Sequence, residues 1–203
     1  MAATKRTGAD FDKIFSTRGE PEFLHYEVEY LDAQGPHNVE IWRSGNQRLK
    51  RATDGRIELY ATRLAGDEVR YTILDKARRI STVVDRTNLA RLGTVLEWTA
   101  QGHGLARPMG DYRLERVAGG AKKRALDRMC QRWSLTVKDR AAPSEICWNN
   151  ELRIPLTIVD ARGNTVWRVT HFSTATIDAT TFTVADDGYR RVNMNQDVEP
   201  GAD

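Results

Sequence analysis

The sequence predicts an α+β fold, a long antiparallel sheet of about ten to eleven strands carrying two helical insertions. Three observations predict it. Short segments alternate apolar with polar residues, turn signals recur every ~8–12 residues, and the period changes twice to a helical one. With 203 residues the chain can bury a real core, and no Pro/Gly/Ser-rich linker divides it, so a single domain over 1–203 is expected. Residues 1–8 and 194–203 are expected to be loose. A sheet of this size must curl or split.

The first element is a short helix over Asp10–Thr17, where Phe11, Ile14 and Phe15 fall at i, i+3 and i+4 before Gly19 and Pro21 end it. FLHYEVEYL then puts Leu24, Tyr26, Val28 and Tyr30 on one face and His25, Glu27 and Glu29 on the other. HNVEIWR follows with Val39 and Ile41 inward. QRLKRAT, RIELYATRL (Ile57, Leu59 and Ala61 inward), EVRYTILD (Val69, Tyr71 and Ile73 inward) and RISTVVD complete a six-stranded meander. Over Arg86–Thr99 the spacing becomes helical, with Leu89, Leu92 and Leu96 in one stripe and Gly102-His103-Gly104 as the stop. DYRLERV restarts the strands, and Ala118–Arg128 reads as a loop with one helical turn. CQRWSLTV, EICWNN, RIPLTIVD, TVWRVTHFS and TFTV then form a second antiparallel run that GYRRV closes.

Several function classes lack support. The net charge of +3, from 31 Lys+Arg against 28 Asp+Glu, gives no broad electrostatic case for nucleic acid. No apolar run approaches the ~20 residues of a transmembrane helix. His25, His37, His103 and His171 show no HxH, HxxxH or HExxH spacing, so no metal site is expected. No GxSxG, GxGxxG or P-loop pattern occurs, so neither a cofactor nor a catalytic residue is expected. Asp10, Asp12, Glu20 and Glu22 read as solvated charge.

The remaining feature is apolar wall. Leu24, Tyr26, Val28, Tyr30, Val39, Ile41, Ile57, Leu59, Val69, Tyr71 and Ile73, faced by the helix stripe Leu89, Leu92 and Leu96, line either a hollow or a filled core. The two use the same residue types. Arg43 and Arg63 continue the inward parity at strand ends. There they can reach the carbonyls of a lid or an anionic head group, or else turn outward. Cys130 and Cys147 flank the turn-rich KDRAAPSE. A hairpin folded there brings them to roughly opposite ends of the pair, where a bridge would add about 3 kcal/mol and imply an oxidising compartment. Two separate reduced cysteines are the alternative. No apolar signal core begins the chain; if the protein is exported, the signal has been removed and Met1 is not native.

The order of parts resembles the LolA/LolB/RseB superfamily of periplasmic lipoprotein-handling proteins. The likeness lies in the leading helix, the meander through IWRSGNQRLKR, TDGRIELYA and VRYTILD, the lid-like helix and the strands after it. Asp54-Gly55 before Ile57–Tyr60 matches a turn recurring in that family, and Arg43 matches a strand-end arginine of the LolA carriers, though Ser44-Gly45 stands where they favour proline. CWNNELRIPLTI and the closing Phe182…Gly188-Tyr189 look like an uncharacterised LolA-like branch. The resemblance implies an open, unclosed β-barrel with helices plugging or covering its concave face. It also implies a non-enzymatic periplasmic carrier or chaperone whose hollow holds an acyl chain, lipid, lipoprotein or similar amphiphile. The alternative it offers is an RseB-like sensor that regulates an inner- or outer-membrane protein, with Trp42, Trp133, Trp148 and Trp167 as an exposed contact surface.

Overall fold

Apolar–polar alternation builds most of the strands, and the turns between them fall where Gly, Asn and Asp cluster. The computed structural model describes residues 6–66, 68–91, 98–118, 130–138 and 142–196. Its strands are β1 (Arg6–Gly8), β2 (Phe23–Asp32), β3 (Gly35–Ser44), β4 (Arg48–Thr53), β5 (Ile57–Arg63), β6 (Val69–Asp75) and β7 (Ile80–Asp85). After them come β8 (Tyr112–Arg116), β9 (Gln131–Val137), β10 (Ser144–Asn149), β11 (Ile154–Val159), β12 (Thr165–Ser173) and β13 (Arg190–Asn193). The helices are α1 (Phe11–Ile14), α2 (Arg86–Arg91) and α3 (Trp98–His103). Asp10 caps α1, its carboxylate accepting from the backbone N–H of Asp12 at 3.0 Å and of Lys13 at 3.2 Å.

Hydrogen-bonded neighbours run in the order β1-β8-β9-β10-β11-β12-β2-β3-β4-β5-β6-β7-β13. β1 and β13 are the ends of that order, so the α+β sheet is not closed, as expected. It is mixed rather than wholly antiparallel, because β1 pairs parallel with β8 and β13 parallel with β7. Both edge strands join partners far away in sequence, so no hairpin dictates their direction.

Three expectations need correcting. Arg6–Gly8, expected to be loose, forms β1, with Gly8 at φ +84 and no room for a side chain beside the Leu114 carbonyl. Met194 and Asn195 are tied down: the Met194 N–H donates to the Val83 carbonyl, and the Asn195 side chain accepts from the Asp85 N–H at 2.8 Å. TFTV is not a strand. Asp178 accepts from the Thr180 N–H and starts a 3₁₀ turn over Ala179–Phe182 instead. The helical turn expected within 118–128 lies, from 119 on, outside the described residues.

Contacts group the described chain into two compact units, one from Met1–Pro21, Val28–His37 and His103–His171, the other from Glu22–Glu27, Asn38–Gly102 and Phe172–Asp203. The first unit is aromatic. Phe15 meets Trp148 edge-on at 5.1 Å, Trp133 and Trp167 are buried, and the Trp167 indole N–H donates to the Pro155 carbonyl at 3.1 Å. Its β9–β10 hairpin carries the Cys130–Cys147 disulfide, with Cα atoms 5.3 Å apart.

In the second unit the strand register lines residues up in rows. Arg43 pairs with Leu49, Leu49 with Ala61, Ala61 with Tyr71 and Tyr71 with Val84, making one row across β3–β7. Leu49, Leu59, Ala61, Val69, Tyr71 and Val84 of this face pack with Leu89 of α2 and Trp98 of α3. The helices thus cover one face of this unit's strands. Burying each large apolar side chain stabilises the fold by about 1.5–3 kcal/mol.

Candidate functional site

The helix-covered face of the second unit gathers Leu59, Val69, Tyr71 and Leu89 of the expected wall into one cluster, with Ile73 half-buried beside it. Leu24, Tyr26, Val39 and Ile41 belong to the same unit and are 0–2% exposed; Ile57 is half-buried. Val28 and Tyr30 belong to the first unit, where Val28 is buried and Tyr30 meets Trp167 edge-on at 6.1 Å. Leu92 and Leu96 lie outside the described residues.

Arg43 is 1% exposed, deeper than a strand-end residue that turns outward. It reaches α3: a methyl group added at Gly102 would sit 3.6 Å from Arg43 Cδ and 3.3 Å from Leu49 Cδ1. The Tyr26 hydroxyl donates to the Gly102 carbonyl, which fixes the end of α3 to β2. Arg63 is half-buried and holds its guanidinium 4.9 Å from the centre of the Trp98 ring, a cation–π contact at the start of the same helix. Both arginines therefore meet α3, one at each end.

Sequence reasoning missed Trp98, Leu49 and Arg51 here. Trp98 stands two positions after Leu96, off the stripe of Leu89, Leu92 and Leu96, so the periodicity passed over it. Arg51 pairs with Ile41 on one side and Leu59 on the other, which sets a half-buried guanidinium in the middle of an apolar row. Its signal was its shared parity with Leu49 on β4.

The far face of the same strands is polar and laddered. The His25 ring stacks on Trp42 at 5.0 Å and an interplanar angle of 9°. Lys50 lies 5.1 Å from the Trp42 ring and 5.2 Å from the Tyr60 ring. Tyr60 donates to Glu58 at 2.7 Å, and Lys76 pairs with Glu58 at 3.2 Å. Burial and the Glu58 charge push the Tyr60 phenol above its ordinary value. Burial opposes ionisation of Glu58, but the Tyr60 hydroxyl and the two lysines outweigh it and hold the carboxyl low.

The tryptophans do not form an exposed surface. Trp133, Trp148 and Trp167 are 7%, 0% and 1% exposed and build the first unit's core; Trp42 is half-buried. His103 is buried with its ring edge-on to Trp148 at 5.6 Å, while Gly104 ends α3 at φ +69, the left-handed turn expected after a helix. No described helix is long and apolar enough to cross a membrane.

No protein-family model and no curated protein matches the sequence. Among solved structures, the crystal structure of MucB aligns with 85% of this chain and 60% of its own, at a TM-score of 0.40 and 13% identity. The chain therefore spans about three-fifths of the length of that protein.

Proposed function

We propose that the chain is a non-enzymatic binding module whose helix-covered face takes up the acyl part of a lipid, lipoprotein or similar amphiphile. The observation that carries this reading is the cover itself. The apolar row Leu49–Ala61–Tyr71–Val84 is roofed by Leu89 of α2 and Trp98 of α3. Separable contacts hold α3 down, Arg63 on Trp98 at one end and Tyr26 on Gly102 at the other. Such a lid opens for a few kcal/mol, and an entering chain returns about 0.8 kcal/mol per CH₂ taken from water. Arg51 and Arg63, both half-buried on this face, suit an anionic head group.

The disulfide supports an oxidising compartment, and the periplasm is the setting we infer. The whole chain acts as one domain in this reading. The sensor alternative offered four indoles as its contact surface, and the burial of Trp133, Trp148 and Trp167 leaves Trp42 of those four.

Native mass spectrometry of protein purified from cells should show a lipid adduct, and a panel of lipids and lipopeptides should raise the melting temperature. A featureless spectrum together with no shift across the panel rejects uptake. Recovery of one inner-membrane protein in stoichiometric amount, without lipid, supports the sensor instead.

A further inference from the structure

Three metal-ligating side chains converge on the far face of the second unit, away from the lid. His25 and Glu27 stand two residues apart on β2 and so share a face, and Glu40 joins them from β3. One ligand atom of each lies within 4.8 Å of the other two, and His25 Nε2 is 2.8 Å from Glu40 Oε1. We propose that His25, Glu27 and Glu40 form a binding site for a divalent transition-metal ion of the Zn²⁺ class, clamping β2 to β3. The inference stands apart from the lipid reading and survives its failure.

The donor set selects the class of ion. Two carboxylates balance the 2+ charge, and an imidazole nitrogen favours Zn²⁺ and its neighbours over Mg²⁺ or Ca²⁺, which take oxygen. Bonds of about 2.0–2.2 Å put the donors of a tetrahedral zinc roughly 3.3 Å apart. The glutamate side chains can close the remaining ångström or so by rotation. Three protein ligands leave a fourth position for water.

The imidazole is also pre-aimed. Its ring lies flat on Trp42, which Lys50 approaches at 5.1 Å, so the plane containing Nε2 is fixed by packing rather than by an ion. Glu27 is exposed and gives the ion a way in. Spacing rules along one segment miss such a trio, because β2 supplies a His-x-Glu pair and the third ligand arrives from the neighbouring strand.

Isothermal titration of the full chain, stripped with EDTA and dialysed, tests the proposal with ZnCl₂ and, in parallel, MgCl₂. Binding of one Zn²⁺ per chain at micromolar ion is expected, with a rise in melting temperature that EDTA reverses, and neither effect with Mg²⁺. Glu27→Gln, an exposed and near-isosteric change, should weaken Zn²⁺ binding by about tenfold or more. His25→Ala should weaken it further, and His37→Ala, at the other described His–carboxylate pair (Asp32–His37, 3.2 Å), should not. Absence of Zn²⁺ binding, or binding undiminished in both Glu27→Gln and His25→Ala, overturns the site.

Discussion

Gly104 shows how narrowly one residue can be specified. Its φ of +69 lies in the left-handed region, and a Cβ built there would fall 2.5 Å from Trp167 Cζ3. The left-handed conformation costs an L-residue about 1–2 kcal/mol, and forcing a methyl into a packed core costs about 1–3 more. Gly104→Ala should therefore lose roughly 2–5 kcal/mol in urea denaturation. Gly102, two residues earlier, has no positive φ, and a methyl there would meet side-chain atoms only, Leu49 Cδ1 at 3.3 Å and Arg43 Cδ at 3.6 Å. Its alanine variant should cost distinctly less, and equal losses at the two positions would remove the steric account of Gly104.

At the scale of elements, legibility followed periodicity. The meander β2–β7 was readable because a two-residue period and turn residues agree in every strand, and the same parity placed Arg43 and Arg63 on the face where α3 lies. The described residues of β1, Arg6–Gly8, and the four of β13 carry no alternation to read. Their places come from pairing with β8 and β7, which is tertiary information. TFTV has β-propensity, but the Asp178 side chain takes the Thr180 N–H and turns the chain locally. The metal-ligand trio was invisible for a related reason, since register rather than spacing assembles it. Two outcomes belong to this scale. Cys130→Ser or Cys147→Ser should lower stability by about 3 kcal/mol, given the sequence separation of 17. Thermal melts with and without reductant check it, and reductant should not move the variants. Arg63→Ala should release the start of α3 by about 0.5–2 kcal/mol, seen as faster amide exchange in 98–103 with β5 exchange unchanged. Unaltered exchange there would show that the Arg63–Trp98 contact does not hold α3 down.

For the whole molecule, stability is a sum over groups that titrate differently folded and unfolded, and the sign of each can be worked out. Asp32 is held below its ordinary 3.8 first by the Gln34 N–H, Asp160 by the Asn164 N–H, Asp178 by the Thr180 hydroxyl and Asp186 by the Arg191 guanidinium. Glu68 is held below 4.5 by the Thr87 hydroxyl. Glu58 is held below 4.5 against its own burial by Tyr60 and two lysines. A lowered folded value means that the unfolded chain binds protons first. Each group therefore adds stability above its ordinary value and loses it as the pH falls through the folded one. Tyr60 acts in the opposite sense. Burial and Glu58 raise its phenol above 10.0, so its contribution is complete below pH 10 and drains as the pH climbs beyond that value. Urea midpoints should accordingly stay level between roughly pH 5 and 9.5 and fall on both sides. Tyr60→Phe separates the two limbs: it removes the ionisation that Glu58 and burial oppose, so the alkaline fall should flatten while the acid fall persists. An alkaline limb unchanged in Tyr60→Phe would assign that loss to other groups and leave the Tyr60–Glu58 pair without a part in it.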